Sequence, residues 1–245
     1  MRNICLVLEY LGTNYCGFQK QINGLSIQEV LENTIFESIN EKCTVYPSGR
    51  TDAGVHALGQ VVNFFTNSTV QAEKFEIILN LKLPADIRVV SSKEVPLDFH
   101  SRKSAKSKTY IYKIYNGKKL SVFEVNRCLC CKYSLDFNKM QEGAKLIEGT
   151  HDFSSFVASN ATTKTTIRTI YKAVFTKKDD YLTFEITGNG FLYNMVRILV
   201  GTLIDVGRGK ISLEELSNLL LGGNNRCSAG KTVKPDGLYL KEVNY

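Results

Sequence analysis

The chain has 245 residues, with 31 Lys or Arg against 24 Asp or Glu, a formal net charge of +7. At 43% hydrophobic and 22% charged residues, with 18 Gly and 4 Pro, it is neither disordered nor fibrous and can bury a real core. The charge is confined: His100 to Lys119 holds seven basic residues and no acidic one, so the remaining chain balances at 31 − 7 = 24 basic against 24 acidic. The length allows one large domain or two small ones.

In chain order, residues 3–9 read as a buried strand. Ser26-Ile-Gln-Glu29 has the spacing of a capping box, opening a helix with apolar residues at 27, 30, 31 and 35. Thr44–Tyr46 and Gln60–Phe65 read as strands, Lys74–Leu83 as a helix stopped by Pro84, and Ile87–Val90 as a short strand. The second half repeats the rhythm. Strands are expected at Lys108–Tyr115 and Arg127–Tyr133, then a helix capped by Asp136 and ending near Gly149. Strands at Thr166–Phe175 and Tyr181–Ile186 precede a helix at Phe191–Val206, one opened by Ser212, and a last strand at Gly237–Val243. This alternation indicates an α+β class rather than a doubly wound parallel sheet. The boundary falls within residues 99–107, separating an N-terminal α+β domain, 1–103, from a C-terminal one, 104–245.

Seven cysteines, an odd number at irregular spacing, point to reduced thiols in a cytoplasmic protein. Cys128, Cys130 and Cys131 cluster, but no second CxxC or His pair completes a zinc site. No stretch reaches the ~18 apolar residues of a spanning helix; FLYNMVRILVGTLIDV is broken by Asn194 and Arg197. Ala229-Gly230-Lys231-Thr232 resembles the end of a phosphate-binding loop whose first glycine is missing, and Gly188-x-Gly190 lacks a third glycine. Nucleotide hydrolysis and metal chemistry are not expected.

Residues 48–60, SGRTDAGVHALGQ, carry three glycines around one base, Arg50, and one acid, Asp52. By composition alone this reads rather as an Asx-turn beside a surface arginine. The string Gly49–Ala57, however, is similar to the G-R-T-D-A-G-V-H-A signature of the TruA family of tRNA pseudouridine synthases. Further blocks resemble that family in order: EYLGTNYCGFQKQ (9–21), FHSRKSAKSKTYIYKIYN (99–116), HDFSSF (151–156), IRTI (167–170), GNGFLYNMVRILVG (188–201) and GLYL (237–240). Leu11 and Phe18 depart from the family's usual Asp and Trp, and the run ending at Asp236 departs from its usual T-A-P-A.

The resemblance implies two α/β subdomains with mainly antiparallel sheets, RRM- or ferredoxin-like repeats, meeting at a central active-site cleft. It implies isomerisation of uridine to pseudouridine at tRNA positions 38, 39 and 40, in the anticodon stem-loop, by a homodimer. No cofactor, metal or nucleotide is required, because the reaction moves one glycosidic bond without redox change. Asp52 matches the catalytic aspartate, Tyr110 the active-site tyrosine and Arg197 the arginine of the M-V-R block. A carboxylate suits a reaction at a sugar C1′, as in glycoside hydrolysis, and a neighbouring guanidinium would keep it ionised. Arg50 would fill the space left by the displaced base, and His56 reads as structural rather than catalytic. Arg102, Lys103, Lys106 and Lys108 would meet tRNA phosphates. The competing readings are a catalytically silent RNA-binding protein, a metabolic enzyme with solvated lysines, and a sibling synthase aimed at another RNA site.

Overall fold

A computed structural model describes residues 1–22, 24–158, 165–223 and 226–245. These form two units, Met1–Lys106 with Tyr239–Tyr245, and Ser107–Leu238. The first unit runs β1 (Arg2–Tyr10), α1 (Ile27–Ile39), β2 (Tyr46–Pro47), β3 (His56–Thr66), α2 (Lys74–Asn80) and β4 (Ile87–Val95). That is a βαββαβ unit, with its strands in the spatial order β4-β1-β3-β2 and antiparallel throughout. Alternation in β1 places Ile4, Leu6 and Leu8 on one face, opposite Phe64, Val62 and Gln60 of β3. Phe64 meets Phe75 of α2 edge-on, ring centroids 5.5 Å apart, so this face packs under the helices. Asn3, Cys5, Asn63 and Phe65 point to the other face.

The second unit contains β5 (Ser107–Tyr115), β6 (Leu129–Cys130), α3 (Phe137–Ile147), β7 (Gly149–Asp152), β8 (Ile167–Lys178), β9 (Tyr181–Gly188), α4 (Met195–Gly207) and α5 (Leu213–Leu220). Its sheet runs β5-β9-β8-β7, all antiparallel, with β6 parallel to β5. Strict period-2 burial in β9 sends Leu182, Phe184 and Ile186 inward, where Phe184 meets Phe175 at 4.8 Å. Helix α4 is a core helix: every residue but Arg197 and Asp205 is buried. The α+β class with mainly antiparallel sheets thus holds in each unit. The last strand, β10 (Leu238–Asn244), pairs in parallel with β3 at Tyr239–His56 and Leu240–Ala57. That ladder assigns Tyr239–Tyr245 to the first unit, whereas a 104–245 domain would carry it in the second.

Local expectations differ from the structure where side chains capture backbone groups. The strand expected at Thr44–Tyr46 is shortened because Val45 N–H donates to the Glu32 carboxylate, 3.0 Å, instead of to a strand. Arg127–Tyr133 contributes only β6, since the Asn116 amide donates to the carbonyls of Cys131 and Tyr133, both at 2.8 Å. Helix α2 ends at Asn80, whose side chain bonds both the N–H and the C=O of Val89 at 2.8 Å. The helix expected from Phe191 starts at Met195, because Asn194 is left-handed, φ 61°. Both serine caps form, and the Ser212–Glu215 box is reciprocal.

Gly230 and Gly201 explain the segment that mimics a phosphate loop. A Cβ on Gly201 would lie 1.9 Å from the Lys231 carbonyl oxygen, and one on Gly230 would lie 2.4 Å from Thr202 N. The 229–232 stretch is backbone laid directly on α4, bonded from Gly230 N–H to Thr202 Oγ1 at 2.9 Å. Alanine has the higher helix propensity by about 1 kcal/mol, but a backbone clash this close cannot be relieved by a side-chain shift. Gly201→Ala is therefore expected to cost about 1–3 kcal/mol and lower the thermal midpoint by roughly 2–12 °C. Gly209→Ala, left-handed at φ +71° but with open space around it, should cost less. Melting by circular dichroism decides; equal midpoints for both variants would refute the close-packing account.

Candidate active site

The segment 48–55 lies between β2 and β3 and is held by backbone and side-chain hydrogen bonds. Asp52 forms an isolated antiparallel bridge with Gly17. Phe18 N–H donates to Thr51 O at 3.0 Å, Gly54 N–H to Tyr15 O at 3.4 Å, and Val55 N–H to Asp52 O at 3.1 Å. Two glycines permit this approach: a Cβ on Gly12 would sit 2.0 Å from Val55 O, and one on Gly17, at φ +114°, 2.8 Å from Thr51 O. Gly54 supplies a further left-handed residue at φ +78°. At the other end the buried Ser48 hydroxyl donates to Gln60 Oε1 at 2.6 Å, while Gln60 Nε2 donates to Gly49 O at 2.9 Å. Thr51 Oγ1 bonds the buried Tyr10 hydroxyl at 2.8 Å, and burial pushes that phenol up to about 12, keeping it neutral. With both flanks fixed, the Asp52 side chain is left half-buried and Arg50 exposed.

His56, four residues after Asp52, is fully buried. Its Nδ1 accepts from Gly12 N–H at 2.9 Å, and its ring lies 4.6 Å from that of Tyr239. An Nδ1 that accepts is unprotonated, so the imidazole is a neutral strut between the 12–18 and 48–55 segments. Phe18 also proves structural: it is fully buried beside Tyr10, centroids 6.3 Å apart. Arg102, Lys103 and Lys106 belong to the same unit and are exposed.

In the second unit, Tyr110 sits on β5 opposite Ile186 and is 9% exposed. Phe191 stands edge-on to its ring, 5.1 Å away at 81°, which fixes the ring plane. Tyr112, on the same face, donates its hydroxyl to Lys234 O at 2.6 Å; Tyr115, on the opposite face, donates to Lys119 O at 2.7 Å. Lys108 is half-buried at the start of the strand.

Arg197 is half-buried on α4, between the buried Val196 and Ile198. Its Nε donates to Val233 O at 2.8 Å and its Nη1 to Asn194 Oδ1 at 2.7 Å. Asn194 precedes the helix in a left-handed conformation that asparagine tolerates, and its side chain makes no cap bond. It serves the guanidinium instead. Two contacts on one planar group fix both its position and its plane. Sequence reading passed over Asn194 and Phe191; the available signal was a lone amide three residues before the arginine, the spacing at which helical neighbours meet.

The first unit thus holds Asp52, Arg50, Arg102, Lys103 and Lys106, and the second Tyr110, Arg197 and Lys108. Among the described residues no three His, Cys, Asp or Glu side chains are grouped as a metal site would need, and no helix is long and apolar enough to cross a membrane. Burial pushes the thiols of Cys128 and Cys131 up.

Comparison with known proteins yields one family. The profile described as tRNA pseudouridine synthase matches residues 6–102 and 144–245. The tRNA pseudouridine synthase A of Acetivibrio thermocellus is 46% identical over 245 residues, covering 100% of both chains. Those of Thermoanaerobacter sp. and Clostridium acetobutylicum are 46% and 44% identical, again over 100% of both chains. A solved Cbf5-Nop10-Gar1 complex contains a chain aligning at TM-score 0.35 and 14% identity, over 82% of this chain and 45% of that one, a likeness too slight to bear on the site.

If His56 is a strut, His56→Leu should orphan the buried Gly12 N–H and cost about 1–3 kcal/mol, lowering the thermal midpoint by roughly 2–12 °C. A variant that melts like the wild type would remove that role.

Proposed function

The chain belongs to the tRNA pseudouridine synthase family and is an isomerase that makes pseudouridine in tRNA; from this premise we propose that it acts at positions 38, 39 and 40 of the anticodon stem-loop, with Asp52 as catalytic nucleophile. The observation that carries the reading is the Gly49–Ala57 string. It matches the family signature without a gap, and its backbone is fixed on both sides of a half-buried Asp52.

The chemistry balances within the substrate. The Asp52 carboxylate meets C1′ as the N1–C1′ bond opens and uracil carries away the bonding pair. Uracil turns, C5 bonds to C1′, and the carboxylate leaves. C5 then loses its proton and N1 gains one. Arg197 keeps the carboxylate ionised and directed, and Tyr110 stacks on the turning uracil with its hydroxyl facing the proton lost from C5. Arg50 takes the place of the displaced base, its planar guanidinium replacing lost stacking. Arg102, Lys103, Lys106 and Lys108 meet phosphates, and shape and backbone recognition over base reading suits three adjacent target positions. A cytoplasmic homodimer completes the proposal, its second subunit extending the basic surface offered to one tRNA. What supports these roles is the family signature, the half-burial of Arg197 on an apolar helix, and the edge contact that holds Tyr110.

Release of tritium from C5-labelled uridine in tRNA measures the reaction. Asp52→Asn should lower it by roughly 10³-fold or more; release at the wild-type rate would end the nucleophile proposal. Mapping the modified uridines tests the target, and modification confined to sites outside the anticodon stem-loop would overturn it.

Asn194→Gly keeps the left-handed backbone while removing the acceptor for Arg197. Loss of a hydrogen bond to a charged group, about 1.5–3 kcal/mol, should reduce kcat by roughly 10- to 150-fold, with Asn194→Asp restoring most of it. Equal kcat in the glycine and wild-type enzymes would show that Arg197 needs no such support.

A further inference from the structure

The exposed Tyr46 lies outside the 48–60 segment and has no role in the reaction described above. Its ring, 37% exposed, is braced by two others: Phe65 at 6.4 Å, edge-on, and His100 at 5.4 Å, tilted. The His100 ring is itself oriented, because its Nδ1 accepts from Arg102 N–H at 3.1 Å. An exposed aromatic side chain held on two sides loses little freedom when another flat ring covers it.

The turn that carries His100 is fastened to the sheet face away from α1 and α2. Asn3 Nδ2 donates to Pro96 O and Phe99 O, both at 2.9 Å, and Asn63 Nδ2 donates to Asn3 Oδ1 at 3.0 Å. Asn63 Oδ1 accepts from Ser101 N–H at 2.9 Å, and Ser101 Oγ donates to Tyr46 O at 2.5 Å. Tyr245 closes the set, donating its hydroxyl to Ser101 O at 2.8 Å. Asn3, Asn63 and Ser101 are fully or almost fully buried, so this network fixes the turn and Tyr46 to the same frame.

Arg102 and Lys103 project from that turn. Elsewhere in the molecule Arg2, Lys20, Lys145, Lys172 and Arg208 each pair with a carboxylate. Among the described residues no carboxylate pairs with Arg102, Lys103 or Lys106, and His100–Lys119 contains none. Cations left without acidic partners, beside a braced aromatic face on an immobilised turn, match single-stranded nucleic acid: a ring to stack and phosphates on either side of it.

We propose that Tyr46, backed by His100, forms with Arg102 and Lys103 an accessory docking subsite for tRNA, in which the phenol ring stacks on an unpaired nucleotide and the two cations meet its flanking phosphates. The subsite rests on the reading that tRNA is the substrate, but not on the role of Asp52. It makes this part of the basic segment a built surface and separates binding from the chemical step.

Binding of unmodified tRNA by fluorescence anisotropy, over a salt series, tests it. Tyr46→Ala and Tyr46→Leu should each weaken binding by roughly 5- to 150-fold, while Tyr46→Phe binds as the wild type. The salt slope should stay unchanged in all three, because no phosphate contact is lost. Arg102→Gln should instead lower the slope of log K against log salt by about 0.7–0.9, and Lys42→Gln, an exposed cation away from the turn, should leave it as it is. Wild-type affinity in Tyr46→Ala, or equal slope changes in Arg102→Gln and Lys42→Gln, would overturn the subsite. An active Asp52→Asn enzyme would overturn only the nucleophile proposal and leave these binding results standing.

Discussion

The placing of Asp52 depends on one steric permission: two stretches of backbone, 12–18 and 51–55, lie closer together than any side chain would allow. Gly12 and Gly17 create it, since a Cβ on either would enter the carbonyl of Val55 or Thr51. Once the chains approach, backbone hydrogen bonds join them in place of side-chain packing. A loop so held has few soft dihedrals left, and the half-buried carboxylate it carries is fixed without being sealed off. His56 braces the same interlock from below through Gly12 N–H.

A second theme recurs in both units. Residues with a proposed role are positioned by polar contacts to backbone made through small amides and hydroxyls. Gln60 and Ser48 clamp the start of the 48–55 segment, Asn3 and Asn63 fasten the basic turn, and Asn194 with the Val233 carbonyl orients Arg197. Among the described residues no buried side-chain nitrogen or oxygen lacks a partner. Buried amides without partners would each cost about 1–3 kcal/mol, so networks of this kind are tolerable only when complete, and when complete they specify one arrangement.

Charge follows the same division of labour. Some cations of the scaffold pair with carboxylates, such as Lys172 with Glu185 across two strands. Exposed pairs of that sort contribute little to stability, but they neutralise the surface where no polyanion is needed. Among the described residues the cations of the basic turn, Arg102 and Lys103, pair with no carboxylate, which is why they are proposed to meet a polyanion.

How much of this was legible beforehand differs by element. Local chemistry read well: the serine caps, the strands β1, β5 and β9, and the antiparallel α+β class all follow from residue type and spacing, which act over a few residues. Gly49–Ala57 marked the candidate site through its resemblance to a known signature, not through any property of a lone Arg and Asp. What the sequence could not disclose were the long-range captures. Glu32 taking the Val45 N–H, Asn116 taking two carbonyls and Asn194 turning left-handed each change a local preference through a partner distant in sequence or a conformation few residues adopt. Likewise, Gly230 resembled the end of a phosphate-binding loop until its backbone contact with α4 was seen. By itself the sequence determined the reaction family, the element types and the location of surplus charge. Tertiary structure alone decided what each strut touches, such as His56 Nδ1 on Gly12 N–H, and that Tyr46 and His100, far apart in sequence, share one surface, because packing joins residues by distance in space and spacing along a chain does not.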